Sequence, residues 1–256
     1  MPESRKLAFV GSRSAAAVDA MEELVGEFGN SSVEDSDVIV ALGGDGFVLH
    51  CLHEYGHLNK PIYGMNRGTV GFLLNEYRLE GLLQRIAEAQ EETLRPLRMH
   101  AESNDGSVTD ALAFNEVSIL RSSSQSANVR IVVDGEERLD KLICDGALVA
   151  TAAGSTAYNL SAHGPVIPIG SDMLALTPIS PFRPRRWRGA LLPSSAELRL
   201  ENLDPAKRPV IASADHTEID NVRCLTVSSS DDVAVRMLFD PGHSLNDRIL
   251  REQFAI

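Results

Sequence analysis

The chain is poor in cysteine, in positive charge and in long apolar runs, and each shortage narrows what it does. Its 256 residues include three cysteines, Cys51, Cys144 and Cys224, odd in number, far apart and outside any paired-ligand spacing. That usage argues against a disulfide framework and a zinc ribbon, and it fits a reducing compartment, so a cytoplasmic location is expected. Lys and Arg number 24 against 36 Asp and Glu, for a formal net charge of −12. Such a charge favours solubility and disfavours nucleic acid or an anionic membrane as main partner, so any anion site has to be local. No apolar run reaches the length of a membrane span, and the start, Met1-Pro2-Glu3-Ser4-Arg5-Lys6, meets only a four-residue apolar stretch, so neither export nor anchoring is expected. Repeats and low-complexity segments are absent. So are Gly-x-x-x-x-Gly-Lys-Ser/Thr and the protein-kinase signature set, which removes two routes to holding a nucleoside triphosphate.

What is present is an ordinary hydrophobic share, 43%, in a length that suits one large domain or two modest ones. The first third alternates strand and helix: Leu7-Ala8-Phe9-Val10, a helix around Ala15 to Phe28, the apolar run Val38 to Leu42, Pro61-Ile62-Tyr63-Gly64, and a helix from Leu79 to Gln90. Continuous apolar strands joined by helices imply a parallel sheet covered on both faces. Beyond about Leu94 the texture turns to short β-branched runs, Val117 to Leu120 and Val129 to Val133, with Asp134-Gly135 as a hairpin turn. Leu148-Val149-Ala150, Ala196 to Leu200, Pro209-Val210-Ile211 and Val233-Ala234-Val235 continue that β-rich texture, and a helical tail near Leu245 to Phe254 follows.

The strand Val38 to Leu42 runs straight into Gly43-Gly44-Asp45-Gly46 and then a helical stretch. Glycines let a backbone turn sharply and approach a ligand, and a helix start offers unpaired N–H groups suited to phosphate, so Gly43 and Gly44 are candidate phosphate contacts. Asp45 would repel a phosphate unless it accepts a hydroxyl proton or holds a cation bridging phosphates, both tasks of phosphoryl transfer. The plain alternative is a tight turn whose Asp caps the helix. Two further segments keep it company: Asn115-Glu116 just before a strand, and Gly154-Ser155-Thr156-Ala157-Tyr158-Asn159-Leu160-Ser161 just after one. Singly, these and Asp145-Gly146 read equally well as turns and caps.

Together, in this order, the segments resemble the NAD kinase family over essentially the whole chain. The resemblance implies a phosphotransferase that moves a phosphate from ATP, or another donor such as polyphosphate, onto the adenosine 2′-hydroxyl of NAD, with Mg²⁺ accompanying ATP. Asp45 matches the catalytic carboxylate and Gly46 a ligand contact. Asn115, Glu116, Asp145, Ala153, Thr156, Ala157, Tyr158, Asn159, Leu160 and Ser161 fall on NAD-binding positions, with Tyr158 able to stack a base and Glu116 with Asp145 suited to vicinal ribose hydroxyls. Asp215 and His216 match a pair that reaches the dinucleotide, although an exposed turn explains them as well. The family usually carries Thr where this chain has Phe47, and Arg-Gly-Asp-Gly where this chain has Ile143-Cys144-Asp145-Gly146, so a hydroxyl and a cation near the phosphates are missing. Homodimers or homotetramers are implied.

His50, His53 and His57 share helical spacing beside Cys51, but without paired thiols or a matching carboxylate they read as a polar face, with His50 placed against a phosphate of NAD, and no metal is expected from the protein alone. The basic run Arg183, Arg185, Arg186 and Arg188 around Trp187 reads as a proline-bearing loop, a subunit contact or a phosphate-facing lid rather than a nucleic-acid grip. The expected architecture is a Rossmann-like α/β domain, residues 1–95 with 236–256 returning, and a β-rich, β-sandwich-like domain over 96–235, with the site between them. Two other readings stay open: a lipid kinase of the diacylglycerol or sphingosine type, which has its own Gly-Gly-Asp-Gly loop, and a non-catalytic NAD(P)-binding regulator.

Overall fold

The computed structural model describes residues 5–67, 71–242, 247–248 and 254. The chain forms two compact units, Met1–Leu94 with Asp232–Ile256, and Arg95–Asp231.

In the first unit a five-stranded sheet has the order Leu7–Gly11, Val38–Gly43, Ile62–Asn66, Val235–Phe239, Gln90–Leu94. The first three strands run parallel, Val235–Phe239 joins them in parallel at Met237 opposite Ile62, and Gln90–Leu94 closes the edge antiparallel. Every residue of Val38–Gly43 is buried, as its unbroken apolar run requires of a strand covered on both faces. Helix Ala15–Phe28 starts at Ser14, whose hydroxyl accepts from the Ala17 amide, and stops at Gly29 with φ 72°. It lays Ala17, Ala20 and Leu24 against Phe9, Val40 and Leu42. The helix read from Leu79 to Gln90 is shorter, Leu82–Glu88, because Gly81 enters it with φ 70° and Gln90 already belongs to a strand. The run Val233 to Val235, read with the β-rich part, leads instead into the strand Val235–Phe239 of this sheet. Most of the expected tail Leu245 to Phe254 lies outside the described residues, of which Asp247 and Arg248 are helical.

The second unit holds two six-stranded sheets whose paired strands are all antiparallel. One has the order Ala190–Pro193, Met173–Ile179, Gly146–Ala150, Glu116–Arg121, Val210–Ala214, Thr217–Ile219. The other runs Val108–Ala113, Leu97–Ser103, Val222–Ser229, Leu198–Asn202, Ala127–Val133, Glu136–Cys144. Alternation along Leu97–Ser103 buries Leu97, Met99 and Ala101, which share one core with Val117, Ile119, Ala147 and Val149 of the first sheet. Asp134 (φ 52°) and Gly135 (φ 79°) form the tight turn that their pairing predicts. Asp145 is no hairpin turn: there the chain leaves one sheet at Cys144 and enters the other at Gly146.

Candidate active site

In the α/β unit the strand Val38–Gly43 gives way at Gly44 to helix Asp45–Tyr55. Gly44 occupies the cap position and no side chain caps the helix, so Asp45 is not a cap. Both of its carboxylate oxygens turn to another segment, Oδ2 accepting from the Phe72 amide at 2.8 Å and Oδ1 from the Leu73 amide at 3.0 Å. Carboxylate oxygens have lone pairs to spare beyond those two bonds, so the group keeps room for a hydroxyl proton. None of Gly43, Gly44 and Gly46 has a positive φ, so a sharp turn is not what these glycines provide. A Cβ on Gly43 would meet Phe47 at 2.8 Å, whereas one on Gly44 or Gly46 would meet nothing within 4 Å, which leaves the start of the helix open to a ligand.

His50 is exposed and pairs with Glu54 at 2.8 Å. Cys51 on the same helix is fully buried, and burial, aided by the Glu54 charge, pushes its thiol up to about 12. His50 is thus on the solvent side of the helix and Cys51 in the core, and no group of three or more His, Cys, Asp or Glu among the described residues is arranged to hold a metal.

In the β-rich unit, strand pairing gathers three distant segments. Ala150 lies opposite Glu116 and Ala214 opposite Val117, so the residues flanking these strand ends, Asn115, Thr151 and Asp215, converge. Thr151 ties them: its hydroxyl donates to the Phe114 carbonyl at 2.7 Å and accepts from the Gly154 amide at 2.9 Å, while its own amide donates to the Asn115 carbonyl at 3.0 Å. A Cβ on Gly154 would sit 2.0 Å from the Asn115 carbonyl oxygen, so only glycine permits the crossing. Asp215, at φ 49°, accepts from the Phe114 amide at 2.7 Å on one oxygen and from the Asn115 amide at 3.0 Å on the other. It organises the loop of Asn115 rather than decorating an exposed turn, and His216 beside it is exposed.

Glu116 carries the unusual chemistry of the cluster. Its Oε2 is buried without a hydrogen-bond partner. Burial pushes the carboxyl up to about 7, the Asp215 charge adds to the rise, and a bond from the Tyr158 amide opposes it.

The run from Ala153 to Ser161 divides by direction. Asn159 is fully buried, donating to the Ser155 and Pro165 carbonyls at 3.1 and 2.8 Å and accepting from the Thr177 hydroxyl at 2.7 Å. Ser155 is likewise buried, its hydroxyl bonded to the Ala152 carbonyl and the Ile167 amide. Both side chains hold the loop together. Thr156 is also mostly buried, its hydroxyl donating to the Ala153 carbonyl at 3.3 Å. Tyr158 and Ser161 are exposed, while Ala153, Ala157 and Leu160 are half-buried. The Tyr158 phenol is raised by burial and then by the charges of Glu116 and Asp145.

Asp145 stands at the other end of the ladder. Gly146 lies opposite Leu120, and Asp145 pairs with Arg121, whose Nε is 2.5 Å from Oδ1. Arg121 is five residues along the strand from Glu116, roughly 16 Å at about 3.3 Å per residue. The two carboxylates thus stand near opposite ends of the pairing between Glu116–Arg121 and Gly146–Ala150. The arginine loop is anchored through Phe182 and Arg183, whose amides donate to the Ile143 carbonyl, and Trp187 packs against the core while Arg183 and Arg185 lie over the Phe182 ring. Sequence reasoning missed Thr151 and the Phe72-Leu73 amides. The only sequence trace of the first is a hydroxyl residue at a strand end three positions before a glycine, and backbone amides leave none.

Comparison with known proteins finds relatives over the whole chain. The family model described as the ATP-NAD kinase N-terminal domain matches residues 9–90, and the ATP-NAD kinase C-terminal domain matches residues 114–237. An NAD kinase of Mesorhizobium japonicum is 55% identical over 251 residues, 98% of each chain, and one of Xylella fastidiosa is 50% identical over all of this chain and 98% of its own length. Among solved structures, an NAD kinase from Archaeoglobus fulgidus in complex with ATP aligns with TM-score 0.72 at 28% identity over 97% of both chains. A yeast NADH kinase complexed with NADH shares the fold at TM-score 0.83 and 22% identity, covering 98% of this chain and 87% of its own. With both domain models matched in order and relatives alike from end to end, the chain belongs to the ATP-NAD kinase family.

Proposed function

We propose that Asp45 is the general base by which this chain phosphorylates NAD. The overall reaction is that of an NAD kinase: the adenosine 2′-hydroxyl of NAD receives the terminal phosphate of a triphosphate donor and NADP is formed. In the proposed step an Asp45 oxygen takes the 2′-hydroxyl proton as the ribose 2′-oxygen bonds to the γ-phosphorus, and the bond from the γ-phosphorus to the bridging oxygen breaks to release ADP. ATP is the donor of choice and brings Mg²⁺ as part of the substrate complex. The amides at Gly44 and the first turn of the Asp45 helix, open where a Cβ would meet nothing, are suited to the phosphates.

For NAD we assign Asn115, Glu116, Ala153, Thr156, Ala157, Tyr158, Leu160 and Ser161, with His50 and Gly46 beside Asp45 and with Asp215 as organiser of Asn115. Asn159 supports the loop, and Asp145 serves only from a second copy of the chain. The observation that carries the assignment is the buried, unpartnered Oε2 of Glu116. A carboxylate accepts and cannot donate, and the two vicinal hydroxyls of a ribose are donors that would satisfy it. We also read the parallel sheet as Rossmann-like, the two antiparallel sheets as a sandwich, and the enzyme as a cytoplasmic homodimer or homotetramer. Three buried free cysteines and the exposed Leu191, Met173 and Phe182 support the last reading.

The test is acceptor choice. Purified protein given Mg²⁺ and ATP is expected to phosphorylate NAD and leave diacylglycerol and sphingosine untouched. Transfer to a lipid alone would establish the lipid-kinase reading, and NAD binding without turnover would establish the regulator.

A further inference from the structure

We infer that Arg248 is a positioning residue for Asp45, acting on it through two peptide groups rather than by contact; the inference rests on the role proposed above for Asp45. The two side chains approach opposite edges of the segment Gly71 to Leu74. On one edge, the amides of Phe72 and Leu73 donate to the two oxygens of Asp45 at 2.8 and 3.0 Å. On the other, Nη1 of Arg248 donates to the carbonyls of Gly71 and Phe72 at 3.3 and 3.2 Å, and to that of Leu74. The Gly71 carbonyl and the Phe72 amide are the two ends of one peptide group, and the Phe72 carbonyl and the Leu73 amide are the ends of the next. Anion and cation thus sit at the positive and negative ends of the same two peptide dipoles, each of about 3.5 D. Hydrogen bonds strung together in this way polarise one another, so the guanidinium strengthens the hold of both amides on the carboxylate.

The surroundings admit this arrangement and little else. A Cβ on Gly71 would fall 2.3 Å from Oδ1 of Asp45, and one on Gly64 would fall 2.7 Å from the Leu73 carbonyl oxygen. Asn75 pins the end of the segment, its Nδ2 donating to the Gly64 and Leu238 carbonyls and its Oδ1 accepting from the Asp240 amide. The Arg248 guanidinium lies 5.4 Å from the Phe239 ring centroid, which fixes it from behind. A general base has to meet its proton at hydrogen-bond distance, and a displacement of about 1 Å costs on the order of 100-fold in rate. Two amide bonds, one to each oxygen, set the plane of the carboxylate, and Arg248 sets the amides.

Arg248→Met removes the cation with little change in bulk, and Arg248→Lys keeps the charge with a different donor geometry. The expected result is a fall in kcat of about 10- to 100-fold in Arg248→Met, with the KM for NAD and the thermal unfolding midpoint near those of the parent. Arg248→Lys is expected to recover most of the loss. In an Asp45→Asn background, Arg248→Met is expected to lower the residual rate no further, because its effect passes through the carboxylate. The inference is overturned if folded Arg248→Met turns over like the parent, if KM and kcat worsen together in both variants, or if the loss persists undiminished in the Asp45→Asn background. If Arg248→Met does not fold, Arg248→Lys and its Asp45→Asn double variant decide by the same non-additivity. Full activity in Asp45→Asn alone would remove the base assignment and this inference with it, whereas normal turnover in Arg248→Met beside an inactive Asp45→Asn removes only the inference.

Discussion

A buried carboxylate oxygen without a donor, as in Glu116, costs about 1–3 kcal/mol until something donates to it. Its raised pKa of about 7 means that the folded chain holds a proton that the unfolded chain has released once pH passes the ordinary value of 4.5. Between those two values the native state binds more protons than the unfolded state, so this group's contribution to stability falls as pH rises. Glu116→Gln is therefore expected to raise stability at pH 8 by about 1–3 kcal/mol and to change it little at pH 4.5, as read by thermal melting at both. Ribose hydroxyls donate to the ionised form, so the KM for NAD is expected to fall as pH rises through 7 in the parent and to be higher and flatter in Glu116→Gln; an identical profile in both would remove Glu116 from the site. Asn159 belongs to the opposite kind. Truncation to Ala leaves Thr177 and two carbonyls without their partner, and a stability loss of about 2–4 kcal/mol is expected, readable by urea unfolding. The residue types of the Thr156 to Ser161 run are legible in the sequence as ligand chemistry, but direction is not. Tyr158 and Asn159 are neighbours in the chain, and only the packing of Gly164 and Thr177 around Asn159 turns it inward.

The elements that carry the site are those with the plainest patterns. An apolar run from Val38 to Leu42 has only one fate in a sheet covered on both faces, and a helix directly after Gly44 follows from the change of period. Boundaries fared less well where backbone conformation decides them, as at Gly81, or where a polar stretch such as Gln90 to Thr93 becomes an edge strand through its partner alone. The crossing of Gly154 over Asn115 is a tertiary contact without a local signature. It predicts that Gly154→Ala, whose methyl would overlap the Asn115 carbonyl, displaces the Asn115-Glu116 corner. The expected outcome is a loss of NAD affinity of about tenfold or more, equivalent to about 1.4 kcal/mol, in calorimetric titration with no donor present. Unchanged affinity would mean that the corner does not bind NAD.

At the scale of the molecule, the carboxyl-terminal strand Val235–Phe239 lies between Ile62–Asn66 and Gln90–Leu94, so the first unit is completed only after the second has been synthesised. Ending the chain after Asp231 is expected to abolish cooperative melting of the α/β unit, checked by circular dichroism of the truncated protein, because two strand edges, the buried Ile62–Asn66 among them, lose their partner. The return of the chain was legible as far as its existence. Its strand was not, because Val233 to Val235 looks like any other β-branched run and only its pairing with Ile62–Asn66 and Gln90–Leu94 assigns it. Family resemblance reached the whole molecule because its motifs are spaced over both units, whereas linear order says nothing about which end of a ladder Glu116 and Asp145 occupy. Asp45 remains the centre of the account, and the most direct measurement of it is label transfer. With γ-phosphate-labelled ATP, Mg²⁺ and NAD, the parent is expected to place label on the 2′-position of NADP, and Asp45→Asn to do so on the order of 100-fold or more slowly while still binding NAD; equal rates of transfer in the two proteins would contradict the account.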